Sequence, residues 1–170
     1  MSLSFGSILS RNKRCTALGL GKWKDRDQWP LPWLKTVRCV KVFGIYVYDS
    51  YREMVLENWN FRLKKFNQTI HSWSTRTLDT LQQRVEVLRL FALSRVYYVG
   101  SILPMRVSHV KKFEAAMCKF IWKGRILKVA LDELKNEHLS GGLNLPCVKT
   151  MNNSLLSSQC LRLLRSLCKF

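Results

Sequence analysis

The side chains that could carry out chemistry in this sequence are carboxylates and histidines, and their spacing brings few of them together. Asp25 and Asp27 flank Arg26 in a connector, a pattern typical of a charged turn. Asp132 and Glu133 are adjacent on a predicted helix, so their side chains diverge instead of sharing a cation. The three histidines are scattered along the chain, at His71, His109 and His138. With no paired-carboxylate motif to hold the cations of a phosphoryl-transfer site, we predict that the chain is not an enzyme and uses no cofactor or metal.

The thiols give no metal site either. Neither a CxxC pair nor a histidine at a zinc-finger offset accompanies the six cysteines, which are Cys15, Cys39, Cys118, Cys147, Cys160 and Cys168. We therefore expect free thiols, mostly buried, in a reducing compartment.

Charge is the strongest signal in the composition. The chain has 170 residues, enough for one domain with a hydrophobic core, and 29 Lys and Arg against 11 Asp and Glu give a net charge of +18. This excess favours a polyanionic partner, nucleic acid before an anionic membrane. The alternative is the solvated basic surface of a ribosome-type protein. The most apolar stretch, 85–103, contains Glu86, Arg89 and Arg95, so we expect no membrane span.

The first 24 residues are rich in serine and basic side chains and contain no acid, which is similar to a mitochondrial transit peptide. The apolar residues of this stretch are more typical of a folded domain: Ile8, Leu9, Ala17 and Leu18. We therefore expect a nuclear or cytoplasmic protein, with mitochondrial targeting as the less favoured alternative.

The hydrophobic pattern predicts an α+β fold that is mainly α. Residues 5–20 suggest a helix end and a strand, and two prolines make 29–33 an irregular connector. The run from Val40 to Tyr48 is rich in β-branched and aromatic residues and is broken by Gly44, which predicts a hairpin or a bulged strand. After Asp49 the sequence is mainly helical.

Four longer helices are predicted, in addition to the helix that carries Asp132 and Glu133. The first begins at a capping box of Ser50 and Glu53, and its apolar stripe is Val55, Trp59, Leu63, Phe66, Ile70 and Trp73. The second runs from about Leu78 to Pro104, and because its second half is apolar nearly all round we expect that half in the buried centre of a bundle. The third begins near Ser108, and a last amphipathic helix spans 155–167.

The densest positive block lies between Arg106 and Lys128, where seven basic residues accompany one acid. Basic groups of this kind contact phosphates, whereas Phe120 and Trp122 are expected in the core. Further basic side chains of the first helix fall largely off its apolar stripe. The predicted nucleic-acid-binding residues are Arg62, Lys64, Lys65, Lys111, Lys112, Lys119, Lys123 and Arg125.

An ordered set of short motifs resembles the thumb region of reverse transcriptases of non-LTR retrotransposons. In chain order they are NW at 58–59, SW at 72–73, QRVEVLRLFALSRVYY at 83–98, LP at 103–104, FIW at 120–122 and GGLNLP at 141–146. Upstream, SRNKRCTALGLGKW at 10–23 and KVFGIYV at 41–47 resemble the last two elements of the family's palm. The resemblance covers nearly the whole chain.

The resemblance implies a role for each segment. Lys13 would match the lysine of the fourth palm motif, near the phosphates of the incoming nucleotide, although Ser10 stands where the family usually has asparagine. Phe43 and Gly44 would belong to the primer grip, and the helices would hold a template–primer duplex through its backbone. The family's catalytic aspartates do not occur in the sequence, so we expect no polymerase activity; Mg²⁺ would be needed only by an intact polymerase.

We therefore expect a palm remnant at 1–49, a helical thumb at 50–128, and a connector with a C-terminal helix at 129–170. The expected function is that of a truncated, inactive reverse-transcriptase-like protein that binds RNA or an RNA–DNA duplex through phosphate contacts. Two alternatives remain open. One is a retained non-catalytic binding module or partner of a full-length polymerase, and the other is a basic mitochondrial or ribosome-associated protein.

Overall fold

The computed structural model describes residues 16–18, 35–125 and 129–167. The chain divides into two compact units, Met1–Met54 and Val55–Phe170. A small antiparallel hairpin precedes a set of helices, which confirms the predicted α+β, mainly α fold. Lys13 and the 29–33 connector lie outside the described residues. The functional division into palm remnant, thumb and connector stays a prediction.

The first unit contains two short strand pairs. β1 (Thr16–Ala17) pairs in parallel with β2 (Lys35–Thr36), and β3 (Cys39–Val42) pairs antiparallel with β4 (Ile45–Tyr48). In the second pair Cys39 is opposite Tyr48 and Val42 is opposite Ile45. The hairpin predicted for 40–48 is therefore confirmed.

Phe43 and Gly44 form the two-residue turn of this hairpin. Both have positive φ, 47° and 81°, as in the type I′ turns whose twist matches that of paired strands. Glycine adopts this conformation without strain, whereas Phe43 does so against its side chain's preference. The Phe43 ring is 89% exposed, so packing around that side chain does not explain the conformation.

The long helix α1 (Tyr51–Ser74) begins directly after Ser50 and ends one residue after Trp73, the last residue of its predicted apolar stripe. Three residues of its predicted apolar stripe are buried and the other three are partly buried. The Trp59 Nε1–H donates to the Pro104 carbonyl at 2.9 Å, and Phe113 meets the Trp59 and Phe66 rings edge-on at 6.2 and 5.1 Å. These contacts fix α1 against the rest of the helical unit.

Residues 81–100 form one continuous helical run with an irregular middle. α2 (Leu81–Val87) leads into a π-helical segment (Leu88–Leu93) and then α3 (Ser94–Gly100). The predicted start at Leu78 is three residues too early. Thr80 and Gln83 form a capping box: the Thr80 hydroxyl accepts from the Gln83 backbone N–H at 3.2 Å, and the Gln83 side chain accepts from Thr80 N–H at 3.3 Å.

The expectation that the second half of this helix is buried all round is wrong. Leu90, Tyr98 and Ile102 are 63%, 44% and 47% exposed. The other side is the core side, where Leu88, Ala92, Val96 and Val99 are buried. Apolar composition shows that a helix side lacks charge, but the number of neighbouring elements decides how much of it is covered.

Four shorter elements complete the helical unit: α4 (Val107–Ile121), α5 (Leu131–Lys135), a 3₁₀ turn (His138–Ser140) and α6 (Val148–Leu167). α4 confirms its predicted start near Ser108 and the predicted burial of Phe120, and its other core side chains are Val110, Phe113, Met117 and Ile121. Trp122 is buried as predicted. α6 begins seven residues earlier than predicted and packs against α3 and α4. Its last turns are exposed, so the amphipathic packing predicted for 155–167 is wrong: Leu161, Leu163, Leu164 and Leu167 face solvent.

Asn152 on α6 explains why that helix starts early. The side chain is buried; its Nδ2 donates to the carbonyls of Gly100 (2.7 Å) and Leu103 (3.1 Å), and its Oδ1 accepts from Met105 N–H at 2.9 Å. A Cβ at Gly100 would lie 3.3 Å from Nδ2, so glycine permits this close approach. A polar residue thus anchors the first half of α6, together with the buried side chain of Val148.

The described cysteines are free thiols, as predicted, but the expected burial is wrong. Cys39, Cys118 and Cys147 are partly buried and Cys160 is exposed. Their positions at a strand start, a helix flank and a helix boundary leave one side of each open. Among the described residues, no helix combines the length and the apolar character needed to cross a membrane.

Candidate nucleic-acid interface

The junction between α1 and α4 brings four of the eight predicted basic residues to one region. The Asn60 Oδ1 on α1 lies 3.1 Å from the His109 Nε2 on α4. Side chains three and four positions apart share one side of a helix. On this spacing Lys64 lies on the Asn60 side of α1, and Lys112 lies on the His109 side of α4.

We call this region the basic seam and define it by four lysines: Lys64, Lys112, Lys119 and Lys123. All four are exposed. Among the described residues, none of the four has a carboxylate within ion-pair distance. The seam can therefore present four ammonium groups to the phosphates of a ligand.

The other predicted site residues lie outside the seam. Arg62 and Lys65 lie over the Phe61 ring at 5.9 Å each, a cation–π arrangement on α1. Lys111 is exposed on α4 beside Lys112, and Arg125 is exposed in the turn that follows α4. The primer-grip-like residues occupy the turn of the β3–β4 hairpin.

The acid of the 106–125 stretch is held by a lysine outside it. Glu114 accepts a hydrogen bond from Lys135 Nζ at 3.1 Å, and the same ammonium donates to Asp132 at 2.9 Å. Burial by itself lowers the pKa of Lys135, but the hydrogen bonds to Asp132 and Glu114 outweigh it and raise that pKa above the ordinary value. Because the charge of Glu114 is balanced by the ammonium of Lys135, this carboxylate offsets less of the positive charge of the lysines on α4.

His109 has a structural environment. It is buried, its Nδ1 has no hydrogen-bond partner within the described structure, and its Nε2 side faces Asn60. Burial, followed by the charges of Lys112 and Arg106, lowers the pKa of His109 below its usual range. A neutral ring with Nε2–H donating to the Asn60 carbonyl oxygen fits these contacts. His109 thus positions α4 against α1 and adds no charge to the seam.

The thiols next to Lys135 differ in their ionisation. Burial and the charge of Glu114 raise the pKa of Cys118. Burial opposes ionisation of Cys147 as well, but hydrogen bonds from Thr150 and the charge of Lys135 outweigh it and lower that pKa. The described residues contain no group of three or more His, Cys, Asp or Glu side chains that could hold a metal ion.

A cavity of about 740 Å³ opens beside the seam, between the C-terminal ends of α1 and α4. Lys119 and Lys123 line it, together with two residues that sequence reasoning did not assign to the site, Trp73 and Arg76. The Arg76 guanidinium carbon lies 4.2 Å from the centre of a Trp73 ring. The i, i+3 spacing of an aromatic and an arginine was the available signal.

A third unassigned residue, Arg84, lines the same cavity and is buried. Its guanidinium donates to the Leu78 carbonyl at 2.8 and 3.2 Å and to the Ile121 carbonyl. The second contact caps the C-terminal end of α4, where the helix dipole favours a cation. The sequence alone gave no signal for Arg84, because its partners lie at the ends of other elements.

No protein-family model matches the chain.

Proposed function

We propose that the chain is a non-catalytic, reverse-transcriptase-like protein that binds the backbone of RNA or RNA–DNA duplexes without reading their sequence. The observation that carries this proposal is the basic seam. Three exposed lysines lie on two helices and the fourth, Lys123, lies in the turn after α4, and Glu114, the acid of the 106–125 stretch, is paired with Lys135. Lysines placed in this way contact phosphates and do not select bases.

Two further features support the proposal. The motifs that resemble the thumb region of non-LTR retrotransposon reverse transcriptases span residues 58–146. This segment contains most of α1 and all of α4, the two helices of the seam. The hairpin segment 41–47 that resembles a primer grip has a tight turn at Phe43 and Gly44 with an exposed aromatic ring. The proposal assigns no polymerase activity to this chain, and a nuclear or cytoplasmic location would give it access to its ligands.

A salt titration of binding tests the proposal. The full chain is titrated against a labelled RNA–DNA hybrid at several salt concentrations, after its cooperative melting is confirmed. If about six phosphates are contacted, the logarithm of the association constant should fall with the logarithm of the salt concentration with a slope of roughly −5. A flat response, or a strong preference among hybrids of different sequence, would refute backbone binding.

A full-length polymerase is the second proposed partner. The exposed apolar side chains of the 81–100 helix and of the last turns of α6 favour a protein contact, since apolar surface of this kind is a common feature of interfaces. Co-elution of the purified chain with a purified intact polymerase of this type in gel filtration, with and without nucleic acid, tests this second proposal. Separate elution in both conditions would refute it.

A further inference from the structure

The cavity beside the basic seam has the size and the wall of a ligand pocket. Its volume of about 740 Å³ falls in the range of pockets that hold small ligands. One part of the wall is apolar and includes Ile70, Leu78 and Phe120. The wall therefore suits a ligand with a flat or apolar body.

The charged side chains of the cavity are all cations. Arg76, Arg84, Lys119 and Lys123 line it, and among its described lining residues there is neither an aspartate nor a glutamate. Arg84 is buried, and no carboxylate in the described part of the chain forms an ion pair with it; two backbone carbonyls are its only described partners. A buried guanidinium without a counter-ion favours entry of an anion. The ligand should therefore carry negative charge as well as a flat body.

Two lining residues of the cavity, Trp73 and Arg76, belong to a stack of side chains. The Trp73 ring lies 4.6 Å from the Phe91 ring, tilted by 34°, and the Arg76 guanidinium lies 4.2 Å from a Trp73 ring centre. Arg76 is exposed. Unpaired bases stack on arginine guanidinium planes as well as on aromatic rings, whatever the base.

We infer that this cavity holds one unpaired nucleotide at the end of a bound strand. The base rests against the Trp73–Arg76 stack and the apolar wall, and its phosphate faces Lys119 and Lys123. These two lysines belong both to the basic seam and to the cavity. The surface that contacts the phosphates of a bound strand therefore continues into the cavity. This inference rests on the proposed backbone binding and adds a preference for strand ends with an unpaired base.

The test compares three labelled RNA–DNA hybrids of one sequence: blunt, with a one-nucleotide overhang, and with an abasic residue as the overhang. Both overhang polarities are included. The full chain should bind a base-bearing overhang roughly tenfold more tightly than the blunt hybrid, as expected for one stacked base. The abasic overhang should recover little of that gain.

Variants assign the gain to the cavity. Arg76→Ala removes the exposed plane, and Ala116→Phe fills the cavity without changing its charge, since Ala116 lines it and is only partly buried. Both should abolish the overhang gain. Ala116→Phe should leave blunt-hybrid affinity within about twofold, and Arg76→Ala, which removes one positive charge, should weaken the blunt hybrid no more than Lys111→Gln does. The matched control Lys111→Gln alters a basic residue of α4 that does not line the cavity, so it should weaken both hybrids equally.

Two results would overturn the inference. Equal affinity of the wild-type chain for blunt and overhang hybrids would refute it while leaving backbone binding intact, whereas loss of all hybrid binding would refute the proposed function first. Micromolar binding of free adenosine monophosphate to the chain would identify the cavity as a free-nucleotide site and reject the strand-end assignment.

Discussion

Asn152 joins three backbone groups at the end of α3, which makes its side chain a sensitive point of the helical unit. Replacing it with alanine would leave two carbonyls and one N–H without this partner in a buried region. Each unsatisfied buried polar group costs about 1–3 kcal/mol, so Asn152→Ala, which leaves three such groups, should lower the free energy of unfolding by at least about 3 kcal/mol.

Urea unfolding measures this change, and the neighbouring Asn153 supplies a matched control because its side chain is exposed. Asn153→Ala should change the unfolding free energy by less than about 0.5 kcal/mol. Equal effects of the two substitutions would mean that the hydrogen bonds of Asn152 do not stabilise the fold.

His109 makes the stability of the helical unit depend on pH. Its pKa is lowered in the folded chain, so below the unfolded value of about 6.5 the unfolded chain binds more protons. The stabilising contribution of the neutral ring is therefore present above that pH. It is lost as the pH falls through the lower folded pKa.

Thermal melting between pH 7.5 and pH 5 measures this dependence. His109→Gln should flatten the fall of Tm with decreasing pH, whereas His71→Gln, at an exposed position, should leave it as in the wild type. Identical Tm profiles for wild type and His109→Gln would contradict the assignment of a buried neutral ring.

At the level of single residues, the sequence identifies the lysines of the site better than its arginines. Lys111, Lys112 and Lys119 lie opposite the apolar positions of one helix, so helical periodicity alone predicts that they are exposed. Arg84 instead binds carbonyls at Leu78 and at Ile121, which is 37 residues away. The local sequence around Arg84 does not predict such a contact, because the contact depends on how the helices pack against one another.

At the scale of elements, the π-helical segment Leu88–Leu93 has one side that is buried in the core and another side that is exposed to solvent. Leu88 is fully buried and Leu90, two positions later, is 63% exposed. Leu88→Ala should cost about 2–5 kcal/mol of unfolding free energy, because a buried cavity remains. Leu90→Ala should cost less than about 0.5 kcal/mol. Chemical denaturation of the pair measures both, and a similar loss for the two would show that a further element covers Leu90.

The elements themselves could be predicted where one local signal dominates. The hairpin was predictable because Gly44 interrupts a β-rich run, and the end of α1 because a polar turn follows its stripe. The starts of α2 and α6 were not predicted correctly. The Thr80–Gln83 capping box is a signal that can be read from the sequence, whereas the first half of α6, which begins at Val148, is anchored by Asn152 to backbone groups of residues 100–105.

At the scale of the whole molecule, the net charge of +18 raises two explanations for any nucleic-acid binding. A diffuse positive field would attract polyanions wherever the charges lie, whereas a localised site would depend on particular lysines. The net charge alone does not distinguish a diffuse field from a localised site, because composition gives the number of charged residues and not their positions. Variants that remove equal charge from different elements can separate them.

The exposed lysines of α4 supply one such variant and α6 supplies its control. Lys111→Gln, Lys112→Gln and Lys119→Gln together reduce the net charge from +18 to +15, and so do Lys149→Gln, Arg162→Gln and Arg165→Gln, all at exposed positions. If the α4 lysines contact three phosphates, their removal should make the salt slope less steep by roughly 2.7. The α6 variant should leave the slope near that of the wild-type chain.

Circular dichroism and melting should first establish that both triple variants keep the helical fold, which their exposed positions lead us to expect. Equal weakening by the two variants would mean that the total charge attracts nucleic acid and that α4 has no special part. A change confined to the α4 variant would locate the contact on two anchored helices. Binding without sequence preference would then depend on where the fold places its lysines, and not only on how many the chain contains.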